Sequence, residues 1–499
     1  MNRHKIRIGC GSVDWRQEAE KRKDRLLADL YGLLKFESVK DTDTRAPGMP
    51  MGQGIAEALN YMLALSREAG FHVSNLEGYA GYAEYAPLSS QDYIAVLCHL
   101  DVVPASGEWT SPPFEPEIRE GKLFARGAID DKGPAMAAFY ALKIVKELGL
   151  QTKHNVRLIF GTDEEHTSTC MDKYREREKP PLCGFTPDGE FPIVHAEKGQ
   201  INVKVVLQDM DGADDFASGE GAGIRLIAFH AGHVANMVPD QATATLSGET
   251  ERLLAISASF GHYCAGNGLE GGTSWATEGR MEFSVKGISA HGMEPHKGVN
   301  AGLALVHFLR PIYLQREAGR FLACVDDVLY ADCLGGGFSI AMQDRITGAL
   351  TVNAGILRYS PGRESFFHLN LRYPACGDEA WILERIAVKA EAYGLKLDTP
   401  ILKKPHYVPD SYPMIRLLQD VYREETSMEP SLLSTGGGTY GAHIPNGVCF
   451  GPLFPGTPST AHQQDECIDI EDLLRATAIY ARAIYEVANA DLPIQEAGV

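Results

Sequence analysis

The sequence predicts an α/β protein in which a domain with a mainly parallel central sheet is interrupted by a separate α+β unit. Three observations lead to this prediction. Strand-like and helix-like segments alternate in the first part, polar alternation marks the strands of the middle third, and helices with one buried strand return near the end. A chain of 499 residues also exceeds what one hydrophobic core usually supports, so we expect at least two domains.

The first part carries the clearest local patterns. Apolar residues recur at helical spacing in 24–35 and 54–68, whereas 93–97 and 156–160 are short apolar runs with β-branched residues, which predict buried strands. Between these runs, 134–148 predicts a helix that begins with proline in its first turn and ends near a glycine. Strand, helix and strand in this order predict parallel strands joined by a right-handed crossover.

The middle third changes pattern. Polar alternation predicts strands at 201–207, 242–246, 281–285 and 366–371, with a helix at 301–314, and the acidic, glycine-rich stretch 208–223 predicts a surface loop. After it, we expect a helix at 412–425, a buried strand at 448–450 and a long helix at 470–488.

Charge and cysteine usage restrict the function classes. A net charge of −19 repels phosphate backbones and anionic lipid, so we expect neither nucleic-acid nor membrane partners. The ten cysteines form no C-x-x-C pair, which argues against a thiolate zinc site. We find no signal peptide and no apolar stretch long enough to cross a bilayer, and therefore expect a cytoplasmic protein with reduced thiols.

Residue types that bind metal ions follow the predicted strands. They are His99 and Asp101, the adjacent Asp130 and Asp131, the acidic run 163–165, Asp188 and the later His462. Each alone is also typical of ordinary structure: a hydrogen-bonded pair, acids at a helix N-terminus, or a solvated turn. Together they supply two histidines and at least three carboxylates at strand ends, a ligand mixture that suits zinc, manganese or cobalt.

Ten stretches, in this order, carry a resemblance to a known family. They are CHLDVVP (98–104), ARGAIDDKGP (125–134), GTDEE (161–165), FTPDGEFPI (185–193), AEKG (196–199), NMVPD (236–240), SAHGMEPHKGVNAG (289–302), NLRYP (370–374), TGGGTYG (435–441) and AHQQDE (461–466). The set resembles the M20 metallopeptidase family, and within it the PepV-like dipeptidase branch. One departure is His166, which stands where threonine is frequent; we interpret it as a surface residue, with adventitious metal binding or altered substrate preference as alternatives.

The resemblance implies a role for each candidate ligand. Asp130 would bridge two divalent ions, His99 and Asp188 would complete one, and Glu165 and His462 the other. Asp101 would support His99, and Glu164 would be the general base. Zinc is the expected metal, with manganese and cobalt as alternatives. The family also implies a cis peptide bond between Asp130 and Asp131.

The resemblance further implies a zinc-peptidase-like catalytic domain formed by 1–199 and 404–499, with residues 200–403 inserted as a lid. Asn236, His291 and Arg372 would reach from the lid toward the substrate. His291 would donate a hydrogen bond to the oxyanion, and Arg372 would offer a fork for the free carboxylate of a dipeptide, unless it is a paired structural arginine. Gly437, Gly438 and Tyr440 would help line the pocket.

The implied function is metal-dependent hydrolysis of dipeptides. The charge of two divalent ions exceeds that of three ligating carboxylates, which lowers the pKa of a bridging water and yields a hydroxide. Glu164 would take the proton of that water and deliver it to the leaving amine. The nearest alternative is an M20 amidohydrolase acting on N-acyl amino acids or succinyl-diaminopimelate, and a more distant one is an inactive scaffold. The long lid favours a monomer.

Overall fold

The computed structural model describes residues 7–8, 11–88, 90–208 and 223–493. The chain forms two compact units. Unit 1 comprises Met1–His195, Tyr407–Leu433 and Gly438–Val499, and unit 2 comprises Ala196–His406 and Ser434–Gly437. The sequence placed the boundaries at 199/200 and 403/404 and did not anticipate that the short segment Ser434–Gly437 belongs with unit 2. Most of the predicted loop 208–223 lies outside the described residues.

A nine-stranded sheet forms the centre of unit 1. In spatial order its strands are His406–Tyr407, Ile193–Glu197, Gly447–Cys449, Gly184–Thr186, Tyr93–His99, Asn155–Gly161, Ala80–Tyr85 and His72–Leu76, with Leu432–Thr435 paired to Ile193–Glu197. The four strands from Gly447–Cys449 to Asn155–Gly161 run parallel to one another. Every residue of Tyr93–His99 is buried, as expected for a parallel strand covered on both faces.

Helices cover this sheet. They are Trp15–Glu20, Lys23–Leu34, Gln53–Glu68, Lys132–Glu147, Thr169–Arg177, Pro413–Thr426 and Ile470–Ala488. Lys132–Glu147 is apolar on nearly all sides and packs against Ile470–Ala488, so these two helices form the interior of the domain. A three-stranded sheet outside it joins Glu117–Arg119, Lys122–Phe124 and Cys467–Asp469.

Unit 2 is built on a second nine-stranded sheet whose strand pairs are all antiparallel. In spatial order its strands are Glu270–Thr277, Arg280–Lys286, Gln241–Ser247, Arg225–Ala231, Thr351–Tyr359, Phe366–Tyr373, Gly199–Leu207 and Leu395–Leu397, with Ile401–Lys403 also paired to Gly199–Leu207. Its helices are Thr250–Asn267, Ala301–Leu309, Arg316–Leu329 and Glu379–Glu391. None of the helices in the described ranges is both long and apolar enough to cross a membrane.

The short elements complete the description. Three pairs of two-residue strands form small separate sheets: Arg7–Ile8 with Gly11–Ser12, Gly189–Glu190 with Pro452–Leu453, and Gln343–Asp344 with Gly348–Ala349. Short 3-10 helices span Pro295–Lys297 and Tyr440–His443.

The predicted helix and strand positions are confirmed with small shifts, and one helix was predicted too long. The helix expected at 301–314 ends at Leu309. Pro311 has no backbone N–H to donate to the carbonyl of His307, and its ring clashes with the preceding turn, so the helix cannot continue through it. The helix expected from 134 begins two residues earlier, at Lys132.

The close approach of parallel strands in unit 1 gives a stability prediction. A Cβ added at Gly184 would lie 2.1 Å from the backbone oxygen of Ala95, and a backbone atom in a central strand cannot move aside easily. We expect Gly184→Ala to destabilise the protein by about 1–3 kcal/mol. The matched change Gly319→Ala lies in a helix with no atom within 4 Å of the new methyl group. It should be neutral or stabilising by up to about 1 kcal/mol. The midpoints of urea unfolding test this, and equal midpoints for both variants would contradict it.

Candidate metal centre

The parallel strands of unit 1 deliver the predicted ligands to one edge of the sheet. His99 is the last residue of its strand and lies opposite Gly161, the last residue of the neighbouring strand. The run containing Glu164 and Glu165 follows Gly161 directly. Asp188 follows the next parallel strand, Gly184–Thr186. Because the carboxyl ends of parallel strands meet at one edge, side chains far apart in sequence come together there.

Asp130 lies at the centre of the arrangement. Its Oδ1 is 3.0 Å from His99 Nε2 and its Oδ2 is 3.0 Å from His462 Nε2. Two groups of ligand atoms share it: one consists of His99, Asp130 and Asp188, the other of Asp130, Glu165 and His462, and within each group the atoms lie within 4.8 Å of one another. The structure thus brings together all five side chains that the sequence proposed as ligands.

The donor atoms fit divalent cations. His99 is fully buried, and its Nδ1 lies 2.9 Å from the carbonyl oxygen of Asp101. Nε2 of the same ring lies 3.0 Å from Asp130 Oδ1 and 3.8 Å from Asp188 Oδ2. It forms no aligned hydrogen bond with either carboxylate. A neutral imidazole that donates from Nδ1 turns the lone pair of Nε2 toward these carboxylates, and a cation between them satisfies all three groups.

The electrostatics of the centre point in the same direction. Burial, followed by the charge of Asp130, raises the pKa of Asp188 to about 7. Hydrogen bonds to Asp130 and Glu165 raise the pKa of His462 to about 11. Burial opposes ionisation of Asp130, yet the hydrogen bond from His462 and the nearby His99 ring hold its pKa below the usual range. Carboxylates this close repel one another, so bound positive charge stabilises the arrangement.

Asp101 supports two parts of the centre in different ways. Its carbonyl oxygen is the atom nearest to His99 Nδ1, whereas its Oδ1 lies 3.6 Å away. Its carboxylate instead accepts the backbone N–H groups of Glu164 and Glu165, each at 3.1 Å. The side chain therefore fixes the acidic segment after the strand, and the main chain orients the imidazole.

Asp163 is a supporting residue that the sequence did not single out. Its buried carboxylate receives Lys40 Nζ at 2.5 Å and the hydroxyl groups of Thr167 and Thr169 at 2.6 and 2.7 Å. These bonds hold the other side of the segment that carries Glu164 and Glu165. The lysine lies more than a hundred residues earlier, so no local pattern could have indicated the pair.

Glu466 is a second residue without an assigned role. Its fully buried carboxylate pairs with Arg126 at 2.6 Å and accepts the backbone N–H groups of Ile129 and Asp130 at 3.0 and 3.2 Å. It lies at the end of the AHQQDE stretch, which was the only sequence signal for it. The peptide bond between Asp130 and Asp131 is cis, as predicted.

Glu164 differs from the neighbouring acids because its carboxylate has no partner. Glu165 contacts His462, whereas the side chain of Glu164 forms no hydrogen bond or ion pair within the part of the chain that the structure describes. Burial, followed by the charges of Asp188 and Glu165, raises the pKa of Glu164 well above its ordinary value. His166, which follows Glu165 in the sequence, is exposed and belongs to neither ligand group.

Tyr440 does not lie where the sequence placed it. We expected it to line a substrate pocket, but its side chain is fully buried. The hydroxyl lies 2.9 Å from Cys170 Sγ, and the ring meets that of His99 edge-on, with centroids 5.9 Å apart. The lack of a side chain at Gly161 makes room for it, because a Cβ there would lie 2.4 Å from the tyrosine oxygen. Gly438, also in unit 1, is half-buried.

Unit 2 contains the remaining candidates. The backbone carbonyl oxygen of Asn236 accepts the N–H of Gly292 at 2.6 Å, and this bond holds the segment next to His291. Nδ1 of His291 accepts the N–H of Met293 at 3.2 Å, so a neutral ring carries its hydrogen on Nε2 and can donate from that atom. Gly437 donates its N–H to the Thr435 hydroxyl at 3.0 Å.

Arg372 is buried in unit 2 without a carboxylate partner. Its Nη1 donates to the Gly436 carbonyl at 2.9 Å and its Nε donates to Asn370 Oδ1 at 3.2 Å. Burial lowers the pKa of Arg372 to about 10, and within the described ranges no acidic side chain forms an ion pair with it. The structure therefore does not support the interpretation as a paired structural arginine.

Comparison with known proteins places this geometry in a family. A family model described as peptidase family M20/M25/M40 matches residues 95–486. The chain is 41% identical over 477 residues to "Putative dipeptidase YtjP" of Bacillus subtilis (strain 168), covering 96% of this chain and 100% of that protein.

Solved structures share the fold at low sequence identity. The di-peptidase Dug1p from Saccharomyces cerevisiae has a TM-score of 0.56 and 13% identity, covering 95% of this chain and 98% of that one. The M20 family metallo-carboxypeptidase Sso-CP2 from Sulfolobus solfataricus has a TM-score of 0.55 and 17% identity, covering 93% and 99%. The chain therefore belongs to peptidase family M20/M25/M40 and is a metallopeptidase.

Proposed function

We propose that this metallopeptidase is a dipeptidase that uses two divalent ions, with zinc as the expected metal and manganese or cobalt as alternatives. The observation that supports it most is the position of Asp130 between two ligand groups, each with its own histidine and a further carboxylate. His99 and Asp188 would hold one ion, and Glu165 and His462 the other. This nitrogen and oxygen donor set suits all three metals.

When bound, two divalent ions supply a water molecule of lowered pKa and polarise the scissile carbonyl. Glu164 is the residue suited to move the proton. Its carboxylate has no partner within the described residues, and Asp101 fixes the backbone N–H groups at 164 and 165. The two adjacent acids then have different roles. Glu165 lies beside His462 as a metal ligand, and Glu164 takes a proton from water and delivers it to the leaving amine.

Arg372 supports a substrate with a free carboxylate. Among the described residues the buried Arg372 guanidinium forms no ion pair, which is costly, and a substrate carboxylate at that place would offer it a bidentate partner. The ring nitrogen Nε2 of His291 is the donor we assign to the oxyanion, and Asn236, Gly437 and Gly438 are proposed as further substrate contacts. N-acyl amino acids also end in a carboxylate, so the dipeptide assignment rests on the full-length relative that carries a dipeptidase name.

We also propose that the enzyme acts as a monomer in the cytoplasm. The cysteines of the described ranges are all free thiols, which suits a reducing compartment.

The shared ligand makes metal stoichiometry a direct test. Equilibrium dialysis followed by elemental analysis should show two ions per wild-type chain. Asp188→Asn and Glu165→Gln should each retain one ion, whereas Asp130→Asn should weaken both, because only Asp130 belongs to both groups. Retention of two tightly bound ions by Asp130→Asn would contradict the bridging role.

Glu164 is tested by turnover. Glu164→Gln keeps the size of the side chain but removes its basic oxygen, so kcat on free dipeptides should fall by about 10²–10⁴-fold with both ions still bound. Glu176→Gln, an exposed glutamate on the helix Thr169–Arg177, is the matched control and should keep normal activity. If the wild type hydrolyses N-acetyl amino acids but not dipeptides, the dipeptidase proposal is wrong and the amidohydrolase alternative is correct.

Arg372 is tested with a matched pair of substrates. Arg372→Met should lower kcat/KM for a free dipeptide by about 10- to 100-fold, the range for a lost hydrogen bond to a charged group. The same dipeptide with an amidated C-terminus should be cleaved equally, and poorly, by both enzymes. Arg363→Met, at an exposed position of unit 2, is the control. An equal loss on both substrates would assign Arg372 a structural role.

A further inference from the structure

Glu466 joins the two chain segments that carry Asp130 and His462. One oxygen of its carboxylate accepts the N–H groups of Ile129 and Asp130, and the other pairs with Arg126. Its carbonyl oxygen accepts the N–H of Ala125 at 3.0 Å, next to the strand pair formed by Cys467–Asp469 and Lys122–Phe124. A single residue therefore bonds to segment 125–130 through both its side chain and its main chain.

The loop 460–466, which carries His462, is tied at both ends. The Thr460 hydroxyl donates to the Cys467 carbonyl and accepts the Cys467 N–H, each at 3.1 Å. Asp465 accepts the N–H and the hydroxyl of Thr110 at 3.0 and 2.7 Å. The His462 side chain is nevertheless 54% exposed, in contrast to the fully buried His99. Its position depends on this loop more than on packing.

Arg126 holds the Glu466 carboxylate from the side opposite the two backbone N–H groups. Its side chain is 2% exposed, lies over the ring of Trp109 at 5.0 Å and contacts the Pro104 carbonyl at 3.4 Å. The pair thus holds the backbone directly before the Asp130 side chain.

The two ligand groups depend on this contact unequally. His99 and Asp188 follow parallel strands whose pairing does not involve Glu466. His462 lies four residues before Glu466 on the same loop. Glu466 is thus linked to two members of one group, Asp130 and His462, but to only one member of the other, Asp130, whose partners His99 and Asp188 are positioned by the sheet.

We propose that Glu466 is a positioning residue that sets the spacing of Asp130 and His462 and thereby the affinity of the Asp130–Glu165–His462 group for its ion. This inference rests on the proposed two-metal function and extends it to a residue outside both ligand groups.

Glu466→Gln is the first variant. A glutamine amide must turn its NH2 group either toward the Arg126 guanidinium or toward the two backbone N–H groups, and both choices place donors against donors. The affinity of the Asp130–Glu165–His462 group should fall by about 10- to 100-fold, as is usual when support of a metal ligand is lost, and the affinity of the His99–Asp130–Asp188 group should change much less. Zinc titration of the metal-free protein, followed by elemental analysis after dialysis, measures both affinities. Glu176→Gln is again the control.

Combination with a ligand variant identifies the affected group. Glu466→Gln added to His462→Ala should cause no further loss of bound zinc, because both changes act on the same ion. Added to His99→Ala, it should reduce the remaining ion as well. Arg126→Lys, which keeps the positive charge but not the fork, should weaken the same ion to a smaller extent, and it serves where Glu466→Gln does not fold.

Two results would overturn the inference. One is a pair of unchanged zinc affinities in the variant, with only a lower Tm of the metal-free protein, which would make Glu466 a purely structural residue. The other is additive loss of zinc with His462→Ala. A wild-type chain that binds fewer than two ions would instead refute the two-metal proposal, and the two failures are therefore distinguishable.

Discussion

The Asp130 carboxylate lies 3.0 Å from a ring nitrogen of both His99 and His462, and the arrangement of unit 1 depends on holding these three side chains together. Two like charges about 4 Å apart repel by about 4 kcal/mol at an effective dielectric constant of 20. A chain that gathers Asp130, Glu165 and Asp188 at one sheet edge must therefore oppose that repulsion. His99 and His462 lie between these carboxylates, while Lys40 and Arg126 pair with the adjacent acids Asp163 and Glu466 and so prevent further negative charge from accumulating.

Much of this was accessible from the sequence because the relevant signals are local. The strand before His99 and the strand before the acidic run are short buried segments, and ligands at the carboxyl ends of adjacent parallel strands necessarily converge. The same holds for the helix that follows Asp130. The order of ten family stretches then allowed a role to be assigned to each ligand. The structure shows that these ligands are assembled, and the roles themselves await the measurements described above.

What the sequence did not predict depends on pairings across long chain separations. The bonds from Glu466 to Ile129 and Asp130 join residues more than three hundred positions apart, and Lys40 reaches Asp163 across more than a hundred. The burial of Tyr440 depends on the space left by Gly161, which only the packed structure reveals. The helix expected at 301–314 was predicted too long for a different reason. Its apolar periodicity continues past Pro311, but the helical backbone ends at Leu309.

The order of the ligands along the chain has a consequence for biosynthesis. A ribosome that has made the first 188 residues has already produced every side chain of the His99–Asp130–Asp188 group. The other group waits for His462, which is synthesised only after the whole inserted segment Ala196–His406 and after Gly447–Cys449, a strand in the middle of the sheet. A polypeptide released before residue 447 lacks both His462 of the second ligand group and a strand in the middle of the sheet. An ion bound by the Asp130–Glu165–His462 group would therefore report that translation has passed through the insertion and returned to the domain in which it began.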